Sequence, residues 1–256
     1  MDKSEAIKLL SGECGKALLK NMMNYVTSFS WGSLSHGQFE IFNNGTAFIL
    51  DLGAGPFLVT AAHVYEGYLT AKQADPSLLC FIGSLRFDPT EKLLCCHGSK
   101  ALDIATFRID DEDIIKIKKQ VAYGSNSWCT ELMSNGDGAL FCGFPGKERI
   151  QKGSDEYVFG LYTALTPVSS ASERHFGCMF SHDSWIDTLG EGLPDVGYDM
   201  GGMSGGPVFK FKETESGILT WSFSGVIYNA MNDIAEIMYA HHAKFIHPSG
   251  SLIVPT

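Results

Sequence analysis

The chain has 256 residues and a net charge of −10, with 45% hydrophobic and 19% charged residues. That apolar share excludes a disordered chain, and the acidic balance leaves no basic footprint for a nucleic-acid partner. Twenty-eight glycines beside 17 Phe and 9 Tyr fit a chain of short strands and tight turns.

The N-terminus, MDKSEAIKLL, lacks a basic start followed by an apolar core, and no stretch stays apolar for about 18 residues. The expectation is a cytoplasmic protein without a secretory leader or a membrane helix. Ser4 can cap a helix, and Ile7, Leu10, Cys14, Leu18, Met22 and Val26 then recur at three- and four-residue steps. This predicts a helix over 4–27, weakened at Gly12 and Gly15, with an apolar stripe packed on the domain or docked on a partner.

From about residue 30 the texture changes to strand-length runs: FEIF, GTAFILDLG, PFLVTAA, LLCFIG and LDIATFRI. Between 110 and 119, Asp110, Asp111, Glu112 and Asp113 precede Lys116, Lys118 and Lys119, the order a short solvated helix prefers. A second set of strands follows: ALFCGFP, YVFGLYTAL, HFGCMF, PVFKFK and FSGVIYNA. Strands dominate and few helices separate them, which favours an antiparallel barrel or sandwich over a βαβ fold. The seven cysteines (14, 80, 95, 96, 129, 142 and 178) read as free thiols, and Cys95-Cys96-His97 matches no zinc spacing, so no metal or other cofactor is expected.

Three short stretches carry chemistry. GGMSGGPVF at 201–209 sets Ser204 among glycines, which let the backbone turn tightly and aim amides at one point. A serine hydroxyl needs a base, a group that orients the base, and donors for the oxyanion. The G-x-S-x-G match to an α/β-hydrolase nucleophile turn requires a helix after the serine. Here Gly205, Gly206 and Pro207 lead instead into the alternating strand PVFKFK. Upstream, LVTAAHV at 58–64 ends an apolar strand on His63, and ALDIATFRI at 101–109 opens another with Asp103, a carboxylate in apolar surroundings that needs a partner.

Together T-A-A-H (60–63), D-I-A (103–105) and G-x-S-G-G-P (202–207) resemble the three active-site boxes of the chymotrypsin-like, or trypsin-like, serine protease superfamily, in that family's order. The resemblance implies an all-β fold of two antiparallel six-stranded β-barrels behind the N-terminal helix. The segments would be 1–29 (helical), 30–122 (first barrel, with His63 and Asp103) and 123–256 (second barrel, with Ser204). It implies a serine endopeptidase with His63 as base and then acid, Asp103 as orienting group, Ser204 as nucleophile, and the Gly202 and Ser204 amides as oxyanion hole. It implies a polypeptide substrate, no cofactor, and a strand at Gly225–Ala230, with Tyr228, Asn229 and Ala230, whose edge pairs with the substrate backbone. Tyr198 and Asp199 fall where the first substrate pocket is lined, although Asp199 also reads as a loop cap, and His241 or His242 could reach that pocket.

Met203 stands where digestive members carry the Asp that pairs with a new N-terminus. The expectation is activity without N-terminal cleavage, as in bacterial, intracellular or viral-type relatives. The alternative is a catalytically idle or latent domain that serves as a protein-binding module or awaits an activating or sensor partner.

Overall fold

The computed structural model describes residues 8, 11–35, 38–98, 102–124, 131–153, 156–179, 187–188, 192–213, 219–231 and 236–254. The N-terminal helix α1 covers Glu13–Met22, with Leu18, Leu19 and Met22 buried. The helical stretch expected over 4–27 is interrupted at Gly12, the N-cap of α1, with Lys8 helical before the break, and it ends earlier than Val26. The amides of Met23, Asn24 and Tyr25 each turn back to a carbonyl three residues earlier, and Val26, read as the last helical position, begins a strand. Ser4 and Ile7 lie outside the described residues.

The first group of strands is β1 (Val26–Ser35), β2 (Gln38–Asp51), β3 (Pro56–Thr60), β4 (Leu79–Ile82), β5 (Leu85–Arg86), β6 (Leu93–His97), β7 (Ile104–Arg108) and β8 (Val121–Tyr123). They form an eight-stranded sheet in the order β5-β4-β1-β2-β3-β7-β6, with β8 pairing parallel to β2 and all other pairs antiparallel. Two helices not foreseen as such interrupt it: α2 (Ala62–Ala74) and the single turn α3 (Pro89–Lys92). The helix expected from the acids-then-lysines run is α4 (Asp111–Ile117), and Asp110 and Asp113 form a reciprocal capping box at its start. Lys119 is not simply solvated: its ammonium donates to the Met23 carbonyl oxygen just past the end of α1.

The second group is β9 (Gly138–Gly143), β10 (Arg149–Gln151), β11 (Tyr157–Phe159), β12 (Tyr162–Ala171), β13 (His175–Met179), β14 (Pro207–Glu213), β15 (Leu219–Met231) and β16 (Ile237–His242). Six of these close an antiparallel barrel in the order β12-β13-β16-β15-β14-β9, while β10 and β11 form a separate ribbon. One six-stranded barrel is therefore present, as the resemblance implied. The N-terminal sheet differs: it has eight strands, and among the described residues no pairing joins its two edges. The edge strand β5 is only two residues long, and among the described residues β6 pairs with β7 alone.

Three apolar clusters organise this architecture. One lies between the N-terminal sheet and α2 (Phe29, Trp31, Leu58, Tyr68, Phe107), and one inside the barrel (Phe141, Phe176, Met203, Val208, Ile227). The third joins the two halves, with Phe48 and Val59 from the sheet, Leu140 and Phe209 from the barrel, and Leu18 and Met22 from α1. This shared core fixes the ends of β2 and β3 against the start of β14, which is where the candidate residues converge.

Candidate active site

His63 is the second residue of α2, not the last of a strand. β3 ends at Thr60, extended Ala61 precedes the helix, and His63 stands in its first turn. Asp103 immediately precedes β7, and β7 lies antiparallel beside β3 with Ala105 opposite Thr60. The end of one strand and the start of the other therefore meet at one edge, although the two residues are 40 positions apart. The Asp103 Oδ2 is 2.8 Å from His63 Nδ1, and its Oδ1 accepts the His63 backbone N–H at 2.9 Å. The Asp103 side chain is 4% exposed and that of His63 40% exposed, so the carboxylate is the buried partner and the imidazole the open one. A carboxylate only accepts here, so the bond places a proton on Nδ1, and the neutral imidazole in this tautomer has its lone pair on Nε2.

Ser204 sits in a turn that leads into an extended strand, β14, and not into a helix. That geometry removes the α/β-hydrolase plan. The Ser204 carbonyl accepts the Thr46 amide of β2 at 2.9 Å, which ties the turn to the N-terminal sheet. Gly205 has φ +89°, and a Cβ there would overlap the Thr46 carbonyl oxygen and the Thr60 hydroxyl, so only glycine fits. Gly202 has φ +101°, with the Phe144 carbonyl oxygen 2.6 Å from where its Cβ would stand.

Four of the six amides of this turn are spoken for. Gly201 donates to Asp199 Oδ1 (2.8 Å), Met203 to the Met200 carbonyl (3.1 Å), Gly205 to that of Ile227 (2.8 Å) and Gly206 to that of Met203 (2.9 Å). Among the described residues, the Gly202 and Ser204 amides alone in 201–206 have no acceptor. The Gly201 carbonyl is taken by the Gly146 amide at 2.6 Å. In a trans peptide C=O and N–H point in opposite directions, so the Gly202 N–H is turned away from Gly146.

His63, Gly202 and Ser204 line one cleft of about 570 Å³ together with Trp31, Asn43, Asn44, Val64, Gly67, Gly146, Lys147, Asp199 and Gly201. Most of these walls were not expected. Asn43 and Asn44 lie in the middle of β2, opposite Trp31 and Ser30, in a stretch whose polar residues looked like a break between strands. Gly146 and Lys147 belong to a short 3₁₀ turn, Gly146–Glu148, on the far side of the cleft. No residue type there gave a signal, because glycine, asparagine and lysine are ordinary loop residues.

The expected substrate-contacting residues separate into groups. Asp199 lines the cleft and also caps the loop, as its Oδ1 bond to Gly201 requires. Tyr198 is buried, stacks on Tyr162 (centroids 5.9 Å, 24° between planes) and donates its hydroxyl to Glu148 Oε1 at 2.5 Å. Burial first, and then that carboxylate, push its phenol well above the usual range. Tyr228, Asn229 and Ala230 lie in β15 beyond the point where its pairing with β14 ends, at Pro207 opposite Val226. Pairing with β16 continues to Met231, so the other edge of 228–231 has no strand beside it among the described residues.

His241 and His242 do not line the cleft. His241 stacks on Tyr228 (4.1 Å, 23°), and His242 has Nε2 2.9 Å from the Ser172 carbonyl. Burial lowers both imidazoles below 6.5. Among the described residues, Cys80, Cys142 and Cys178 are buried free thiols, Cys95 and Cys96 are free and half-buried, and no helix is long and apolar enough to cross a membrane.

Comparison with known proteins gives similarity at the level of structure. No family model matches the chain, and no curated protein matches it. A thermostable serine protease, AL20, from an extremophilic microorganism is similar with 10% identity and a TM-score of 0.46, over 87% of this chain and 92% of that one. A chain solved in work on the coupled folding and binding of the Sesbania mosaic virus VPg protein is similar with 11% identity and a TM-score of 0.43, over 87% of this chain and 93% of that one.

Proposed function

We propose that the protein is a serine endopeptidase of the trypsin-like kind, acting through His63, Asp103 and Ser204. The observation that carries this reading is the cleft itself. It combines an imidazole held through Nδ1 by a buried carboxylate, a serine, and two amides without acceptors. In this mechanism His63 Nε2 takes the Ser204 hydroxyl proton as Oγ attacks the scissile carbonyl. The oxyanion that forms receives the Gly202 and Ser204 N–H groups. His63 then gives its proton to the departing amine, and a water activated by the same imidazole hydrolyses the acyl-enzyme. Asp103 keeps the proton on Nδ1 and stabilises the imidazolium.

Two further features support a polypeptide substrate. The edge of Tyr228–Met231, which has no strand beside it among the described residues, offers main-chain groups for strand addition beside the Ser204 turn. The buried apolar Met203 leaves no place for a zymogen-type ion pair before the serine, in keeping with activity that needs no N-terminal cleavage.

The test is reaction with a fluorophosphonate followed by mapping of the adduct. A label on Ser204 that disappears in His63→Ala supports the enzyme. An unlabelled Ser204 in the native protein returns the chain to the alternative, a catalytically idle protein-binding domain or a latent one that awaits an activating partner.

A further inference from the structure

We propose that Tyr198 and Glu148 form a clasp that holds the oxyanion loop open, acting as positioning residues for the Gly202 amide. This rests on the serine-protease reading and explains what replaces the missing ion pair at Met203.

The problem is physical. Whether Gly202 N–H is available depends on one peptide plane, Gly201–Gly202, and two adjacent glycines can rotate that plane at little steric cost. The apolar Met203 side chain, buried in the barrel core, carries no charge with which to fix it. What does hold the plane is the bond from the Gly146 amide to the Gly201 carbonyl at 2.6 Å, while the Thr46 hydroxyl, which donates to the Gly202 carbonyl at 2.8 Å, fixes the next peptide and so the far side of Gly202. Thr46 is itself set by accepting the Phe144 amide at 2.9 Å.

Gly146 opens a three-residue turn whose backbone is tied at its far end, where the Glu148 carbonyl accepts the Gly160 amide at 2.9 Å and Arg149 pairs with Phe159. Glu148, at the end of that turn, accepts the Tyr198 hydroxyl at 2.5 Å, and Tyr198 is anchored by its stack on Tyr162 of the barrel. The Lys147 ammonium lies 5.3 Å from the centre of the same ring. On the other flank Arg149 donates to Asn44 Oδ1 at 3.0 Å, and Asn44 donates to the Phe144 carbonyl at 2.9 Å. The turn is thus fastened on both sides of Gly146, and Tyr198, three residues before Gly201, lies on the same loop whose carbonyl Gly146 holds. Glu148 and Tyr198 touch no reacting atom; they set the amide that does.

The test uses the full chain with p-nitrophenyl acetate, a small ester that needs the nucleophile, the base and the oxyanion donors but little extended binding. Losing a whole oxyanion donor costs about 10²–10³ in rate. Partial loss of its orientation in Tyr198→Phe and Glu148→Ala is expected to slow acylation about tenfold, with the ester's binding constant unchanged and the Gly202 amide resonance shifted. Glu148→Gln, which keeps an acceptor for Tyr198, is expected to recover acylation to within about threefold of the parent. A change in binding constant alone would make Tyr198 a substrate contact and overturn the clasp. So would parental acylation rates in Tyr198→Phe and Glu148→Ala. If the parent chain itself shows no Ser204 chemistry, the serine-protease reading falls. The clasp is then still decided by the Gly202 amide resonance, which must move in Tyr198→Phe and stay in place in Glu148→Gln.

Discussion

Asp103 holds His63 at two points, with Oδ2 2.8 Å from the ring Nδ1 and Oδ1 accepting the backbone amide at 2.9 Å. Asp103 does so from a left-handed backbone, φ +43°, which asparagine tolerates and β-branched residues do not. Asp103→Asn is therefore expected to fold normally. Its Oδ1 can still take the backbone amide, but its NH₂ faces Nδ1 and forces the proton onto Nε2. Fluorophosphonate labelling of Ser204 should slow by about 10⁴, the scale set by a wrong histidine tautomer. Unchanged labelling with intact circular dichroism would remove Asp103 from the mechanism.

The site was legible where chemistry demands specific residue types and illegible where it demands only backbone. His63, Asp103 and Ser204 stand out because T-A-A-H, D-I-A and G-x-S-G-G-P, in that order and each beside a strand, resemble the active-site boxes of a known family; an Asp before an apolar strand carries little signal alone. Their immediate surroundings did not follow from the pattern. α2 was hidden because TAAHV continues the apolar strand PFLVT without a polar break, so its first turn looked like more strand. The Asn43–Asn44 wall was hidden because a 14-residue strand that alternates between exposed and half-buried at its start and is buried from Asn44 to Leu50 shows no single period. The strand count and closure of the first half were not legible because they depend on non-local pairing, such as β8 joining β2 in parallel across 72 positions of chain.

Gly205 is the most demanding position in the serine turn. Its φ of +89° is one that side chains resist, and a Cβ would strike both the Thr46 carbonyl and the Thr60 hydroxyl, which are hydrogen-bonded to each other at 2.6 Å. Relief would require β2 and β3 to separate. Gly205→Ala is expected to lose about 3 kcal/mol or more of stability, the sum of backbone strain and overpacking. Urea unfolding followed by tryptophan fluorescence reads this directly. A loss under about 1 kcal/mol would mean that the turn moves freely.

Met203 is 1% exposed and belongs to the barrel core with Met200, Phe141 and Ile227. Installing the digestive-type acid here, Met203→Asp, would bury a carboxylate with no new N-terminus to pair with. The expected cost is about 3 kcal/mol or more, whereas Met203→Leu should cost less than about 1.5 kcal/mol. Thermal unfolding of both variants separates the two effects. An aspartate as well tolerated as leucine would show that a cation reaches this position.

The barrel histidines predict how stability responds to acid. Burial lowers His241 and His242 below their ordinary 6.5, with the Arg174 and Ser172 carbonyls, and Asp103 in the case of His241, opposing the shift. The unfolded chain therefore binds protons near pH 6.5 that the folded chain refuses. Stability is fully present above that value and falls as pH drops through the window down to the lowered folded values. Each histidine contributes a slope of at most about 1.4 kcal/mol per pH unit inside that window. Asp75 and Asp88, whose carboxyls are held low chiefly by hydrogen bonds from Ser77 and Thr90, act only below the carboxylate range and so leave this window to the histidines. Melting temperatures measured at about pH 7.5 and about pH 5.5 should show the lower value in acid, and the gap should shrink in the double variant His241→Gln/His242→Gln. An undiminished gap in that variant would place the acid sensitivity elsewhere in the fold.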